Sequence, residues 1–152
     1  MSVTSSSSRK EAFEENEFFI ERLREALTDD DDDDDDASSR VHTAGDFFES
    51  CKRDMGNMHG LKGGGERMEA VVQVKTTREV ENIVRACAEF KKPVVPRGAG
   101  TGLEGGCVAY FGGVVLDVSL LKTMSMDEMQ RTATVGAGVL KNELNTFLEP
   151  YG

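Results

Sequence analysis

Apolar and polar positions along this chain follow two rhythms, and the change of rhythm divides it. In the first third the period is helical. Phe19, Ile20, Leu23, Ala26 and Leu27 recur at three- and four-residue spacing with glutamates and arginines between them, which predicts a helix over residues 9–27. A second helix is predicted from Asp46 to Met58, with Phe48, Cys51, Met55 and Met58 on one side and Asp46 as N-cap. From Glu69 onward short β-branched runs take over: "AVVQV" (70–74), "PVVP" (93–96) and "GVVLDV" (113–118) read as strands. Thr76 and Glu79 form a capping box that opens a helix whose Val80, Ile83, Val84 and Cys87 share a face, and Pro93 ends it. "KTMSM" and "RTATV" (131–135) pair as a hairpin around "DEMQ". Leu140, Leu144, Phe147 and Leu148 mark a last helix, closed by Pro150. Helices alternating with strands and followed by an extra strand pair imply an α+β or α/β layer.

Composition narrows the function classes. The 152 residues are 38% hydrophobic, enough for one domain with a core. No run approaches the ~18–20 apolar residues of a membrane span. The formal net charge is −10, but Asp29 to Asp36 are eight consecutive aspartates, so −10 plus 8 leaves −2 for the rest. The remainder is nearly neutral, which gives nucleic-acid binding no support. The acidic run itself is expected to be a solvated, disordered insert that carries no folding energy. Cys51, Cys87 and Cys107 are odd in number and widely spaced, so they read as reduced residues and not as a disulfide framework. His42 and His59 lack metal-ligand spacing, and no metal site is expected. "LKGGGER" (61–67) lacks the Gly-Lys-Ser/Thr ending of a P-loop and reads as a linker. The first residues, "MSVTSSSSRKEAFEENE", show neither an apolar signal core nor an arginine-rich transit pattern.

The chemistry concentrates in "PVVPRGAGTGLEGG" (93–106), where Gly98, Gly100, Gly102, Gly105 and Gly106 follow a strand. Each glycine in an ordered segment costs about 0.5–1 kcal/mol against alanine, so five together imply that side chains would obstruct a ligand. Residues 100–105 formally satisfy G-x-G-x-x-G, with Asp117 further on. A nicotinamide-dinucleotide site would require a helix opening at the loop, and "GGCVAYFGG" is too short for one. A bare glycine-rich turn would need fewer glycines. The remaining reading is a loop whose unobstructed backbone N–H groups curl around a pyrophosphate without a helix.

"PVVPRGAGTGLEGG", with "GGVVLDVSLLKTM", "ATVGAGV" and "LNTFLEPYG", resembles the first half of the FAD-binding domain of the vanillyl-alcohol-oxidase (PCMH) type, shared by D-lactate dehydrogenases and glycolate oxidase flavoprotein subunits. "GTGLEGG" is most similar to the cytochrome-linked D-lactate dehydrogenase branch. "FFIERLREAL" and "RVHTAGDFFESCKRDMGNMHG" resemble that group's leading helices. The resemblance implies an α+β fold, a small mixed sheet with flanking helices. It divides the chain into an N-terminal helical segment (1–28), the acidic insert (29–40), a helix and glycine linker (41–65) and the first part of the flavin domain (66–152). It implies noncovalent FAD, because Thr101 stands where covalent relatives often carry histidine. Pro96, Arg97, Gly98, Ala99, Gly100, Thr101, Gly102, Leu103, Gly105 and Gly106 would form the pyrophosphate loop, and residues 135–139 a second flavin-facing turn. Arg97 would neutralise phosphate or stand solvated; Glu104 is assigned no catalytic part.

The resemblance further implies a 2-hydroxy acid substrate, D-lactate going to pyruvate, and an electron acceptor such as cytochrome c. Location is mitochondrial by the same resemblance, with the cytoplasm as alternative. The family's catalytic and metal-binding groups lie in segments that this sequence does not contain, so no catalytic residue is assigned and the chain is expected to be an N-terminal fragment, inactive alone. Two other classes of function are left open: a non-catalytic module that uses the acidic run to bind a basic partner, and a Rossmann-type NAD-binding domain, which would need a helix directly after Gly102.

Overall fold

Short β-branched runs place strands side by side, and their two-residue period decides which face each side chain joins. In the computed structural model, which describes residues 4–28, 36–56 and 65–152, four strands form one sheet. Its order is β1 (Val41–His42), β2 (Met68–Gln73), β4 (Gly113–Asp117), β3 (Val94–Arg97). β1 is antiparallel to β2, whereas β2, β4 and β3 run parallel. A separate hairpin pairs β5 (Met124–Asp127) with β6 (Thr132–Val135). With helices α1 (Thr4–Glu25), α2 (Asp46–Cys51), α3 (Thr77–Glu89) and α4 (Lys141–Leu148) around it, this is the expected α+β fold.

The sheet separates two cores. Ala70, Val72, Val114 and Leu116 face Phe19, Leu23 and Leu27 of α1 and its following turn, together with Ile83 and Cys87 of α3. Val71 and Val115 face the other way, against Phe48 and Cys51 of α2 and Ala109. Each fully buried valine, leucine or isoleucine contributes about 1.5–3 kcal/mol, so both faces hold the sheet in place. The capping box forms as expected, with the Glu79 N–H donating to Thr76 Oγ1 at 3.1 Å and the Thr76 N–H reaching Glu79 Oε2 at 3.4 Å.

Several expectations are corrected. α1 begins at Thr4, five residues before the predicted start. α2 stops at Cys51, and Gly45, not Asp46, occupies its N-cap position. Met55 is consequently 58% exposed and on no helical face. Val84 is 44% exposed, because α3 turns Ile83, Ala86 and Cys87 inward and leaves Val84 at the rim. The hairpin turn is 128–131, with Asp127 inside β5 and its carboxylate accepting the Gln130 N–H at 2.9 Å. Residues 29–35 of the acidic run, Met58, His59 and residues 61–64 of the linker lie outside the described residues. No helix among the described residues is long and apolar enough to cross a membrane.

Candidate cofactor site

Parallel pairing ends β3 and β4 side by side, with Arg97 opposite Asp117. Crevices at the carboxyl ends of parallel strands are where α/β sheets take ligands, and residues 98–112 lie there. They contain no helix. That overturns the nicotinamide-dinucleotide reading, which needs a helix at Gly102. Asp117 is also committed elsewhere: it is 3% exposed, and its Oδ1 accepts the Ser119 N–H at 2.7 Å.

The loop is stitched to the stretch that follows α2. The Met55 N–H donates to Gly100 O at 3.2 Å and the Gly56 N–H to Gly102 O at 3.1 Å. Asp54, 3% exposed, accepts the Gly105 N–H on Oδ2 at 2.7 Å. Arg97, for which the sequence offered phosphate or solvent as partner, meets groups of the protein. Its guanidinium donates to Arg53 O at 2.8 Å and to Ser50 O at 3.5 Å, and also reaches Cys107 Sγ at 3.3 Å. It therefore caps carbonyls at the end of α2, which a helix leaves without partners.

The five glycines sort into two groups. Gly100 and Gly105 have φ of +67° and +76°, the left-handed region that side chains resist. A Cβ on Gly100 would also lie 2.2 Å from the Arg97 guanidinium, and one on Gly105 2.7 Å from Tyr110 Oη. The fold itself demands these two. Around Gly98, Gly102 and Gly106 nothing does: a Cβ would meet Ala137 O at 4.0 Å, Asp54 Oδ2 at 3.7 Å and no atom within 4 Å, respectively. Space kept open on the protein side fits a group that approaches from outside.

The donors fit the same group. Among the described residues, no N–H from Gly98 to Glu104 donates to a protein acceptor. These residues, with Gly106 and Cys107, line an open hollow of about 380 Å³. An unpaired row of amides beside space kept by glycines suits a diphosphate. Leu103 stands 69% exposed, and Pro96, Ala99, Thr101 and Glu104 are exposed with it. The turn at 135–139 is held to the chain after β4 by Gly136 N–H to Thr123 O at 2.8 Å and Gly138 N–H to Leu121 O at 3.0 Å. Its Ala137 carbonyl flanks the loop at Gly98. A larger hollow, about 740 Å³, lies between the β5–β6 hairpin and Tyr151, away from these donors. Asp54 is the residue that sequence reasoning missed, because the predicted helix carried it past Cys51. Among the described residues no cluster of potential metal ligands occurs.

A family model for the FAD binding domain matches residues 68–152, and the chain belongs to that family. It is 39% identical over 87 residues to the mitochondrial D-lactate dehydrogenase [cytochrome] of Arabidopsis thaliana, 55% of this chain and 15% of that protein. It is 39% identical over 88 residues to glycolate oxidase subunit GlcD of Bacillus subtilis, 55% of this chain and 18% of that protein. With the mitochondrial D-2-hydroxyglutarate dehydrogenase of Arabidopsis thaliana it shares 38% over 96 residues, 62% of this chain and 17% of that one. The chain thus spans less than a fifth of the length of these relatives. Among solved structures, p-cresol methylhydroxylase with substrate bound shares the fold at TM-score 0.69 and 19% identity, over 90% of this chain and 25% of its own. The protein is an FAD-binding domain of the kind found in flavoprotein oxidoreductases related to D-lactate dehydrogenase and glycolate oxidase.

Proposed function

We propose that the loop from Pro96 to Gly106 holds the pyrophosphate of noncovalent FAD, and that the chain serves a flavoprotein that oxidises a 2-hydroxy acid. D-lactate going to pyruvate, with cytochrome c or a similar acceptor downstream, is the best-supported version. The observation that carries the reading is the run of unpaired amides from Gly98 to Glu104 beside glycines that the fold does not require. When bound, FAD supplies a two-electron acceptor. The chain's own part is to hold and orient: loop amides meet phosphate oxygens, and the shallow hollow seats the diphosphate without a helix dipole. Arg97 acts from beneath by shaping the loop. Mitochondrial location is part of the same proposal, by analogy with the D-lactate and D-2-hydroxyglutarate dehydrogenases.

The test uses flavin fluorescence quenching on the purified chain. Gly106→Val places a side chain where no protein atom stands within 4 Å. It is expected to leave the melting temperature unchanged and to weaken FAD binding on the order of tenfold or more, since a branched side chain would bar the phosphate. Glu104→Gln is expected to bind as the parent does. Equal FAD affinity in parent and Gly106→Val would remove the pyrophosphate loop from this reading.

A further inference from the structure

A strut of three residues, Asp54 to Gly56, lies outside the residues that match the family model, which begin at 68, yet it touches the glycine loop at three points. In a planar trans peptide the C=O of one residue and the N–H of the next point in opposite directions. The Gly100 carbonyl is turned toward Met55 and the Gly102 carbonyl toward Gly56, so the amides of Thr101 and Leu103 face away from the strut. The Gly105 amide is turned the other way, into the Asp54 carboxylate at 2.7 Å. A charged acceptor holds an amide more tightly than a neutral one does. The hollow is walled by the loop and Cys107, and no strut residue is among its lining.

We infer that Asp54 is a positioning residue for the cofactor loop: together with the amides of Met55 and Gly56 it fixes the loop so that Thr101 and Leu103 present their N–H groups to the diphosphate, while the Gly105 N–H takes no part in binding. The inference rests on the pyrophosphate reading above and deepens it. It divides the loop into binding amides and bracing amides. It also explains why a buried carboxylate sits close to an anion site without opposing the anion: the negative charge is turned to the back of the loop and covered by an amide. Because the chain's own groups hold the loop, less is left to order when the cofactor binds.

Amide spectra of the ¹⁵N-labelled chain titrated with FAD test this without any catalytic assay. In the parent, the Thr101 and Leu103 amides are expected to shift more than that of Gly105, whose amide hydrogen exchanges slowly with and without FAD. Asp54→Leu removes the acceptor, and Gly105 is expected to lose protection while FAD affinity falls on the order of tenfold. Asp54→Asn keeps an oxygen acceptor and is expected to restore both. Slow exchange at Val115, in the central strand, reports that each variant is folded. A larger shift at Gly105 than at Thr101 and Leu103 in the parent overturns the inference, with no variant needed. Parent-like affinity and shifts in folded Asp54→Leu overturn it as well, leaving the pyrophosphate reading intact. If FAD shifts no amide from Gly98 to Gly106 in the parent, the pyrophosphate reading itself falls, and the inference with it.

Discussion

Arg97 closes β3 and turns its guanidinium under the loop, where it takes the Ser50 and Arg53 carbonyls, meets Cys107 and fills the space a side chain on Gly100 would need. The consequence for mutagenesis is specific. A side chain on Gly100 would collide with Arg97 and would also require a left-handed backbone, so Gly100→Val disturbs folding and binding together and distinguishes nothing. The three thiols are distinguished just as sharply. Cys51 and Cys87 are buried, and burial pushes both thiols up, that of Cys87 to about 11. Nearby Arg97 opposes the shift at Cys51 without cancelling it. Cys107 is half-buried and lines the hollow. Since the thiolate is the nucleophile, iodoacetamide at pH 8 is expected to label Cys107 well before the other two, and FAD is expected to slow that labelling. Peptide mass spectrometry at timed intervals checks it. Comparable labelling of Cys51 or Cys87 would mean that the two cores open to solvent.

At the scale of elements, the N-terminus of α3 carries more than its own capping box. Glu79 closes the box and also receives both arms of Arg40, at 2.9 and 2.8 Å, from the 3₁₀ turn Ala37–Arg40. Arg40 donates again to Gln73 O at 3.0 Å, so one buried pair joins that turn, the end of β2 and the start of α3. The residues are 3% and 6% exposed. Removing one partner of a buried pair leaves an uncompensated charge, a cost of about 3–5 kcal/mol. Arg40→Met is therefore expected near the low end, about 3 kcal/mol, because Glu79 keeps its amide donors, while Thr76→Ala should cost about 1 kcal/mol. Urea unfolding of the two variants measures both; equal losses would reduce the pair to a surface-like role. The box was legible in the sequence because its partners stand three residues apart. Arg40 was not, because its partner is 39 residues away. The same limit applies to α2: local periodicity ran to Met58, whereas the helix stops at Cys51 and the Arg53 carbonyl just past it is taken by Arg97, 44 residues further on. Local signals also identified a helix-free glycine loop after β3. They could not sort its glycines, since that depends on what Arg97, Tyr110 and Asp54 do in space.

For the whole molecule, the parallel strands are central and each of their faces is covered by a different set of helices, so a disturbance in either core reaches the loop through β3 and β4. Cys87 offers a way to read that global stability. It stands at 0% exposure in the core shared by α1, α3 and the sheet. Burial first, and then the Glu69 carboxylate, raise its thiol from an ordinary value near 9 to about 11. A raised pKa means that the native state holds the proton more tightly than the unfolded chain does. The contribution is therefore complete below about pH 9 and declines as pH rises toward about 11, by up to about 1.4 kcal/mol per pH unit in that window. Cys51 adds a loss of the same sign. The comparison is with Cys87→Ala, which lacks the thiol and is less stable at neutral pH through the lost packing. The stability gap between parent and variant is expected to narrow from pH 9 to pH 11, as measured by urea unfolding at each pH. A gap that stays constant would show that the Cys87 thiol ionises equally in the folded and unfolded chain, and that the face of α3 against the sheet is open to water.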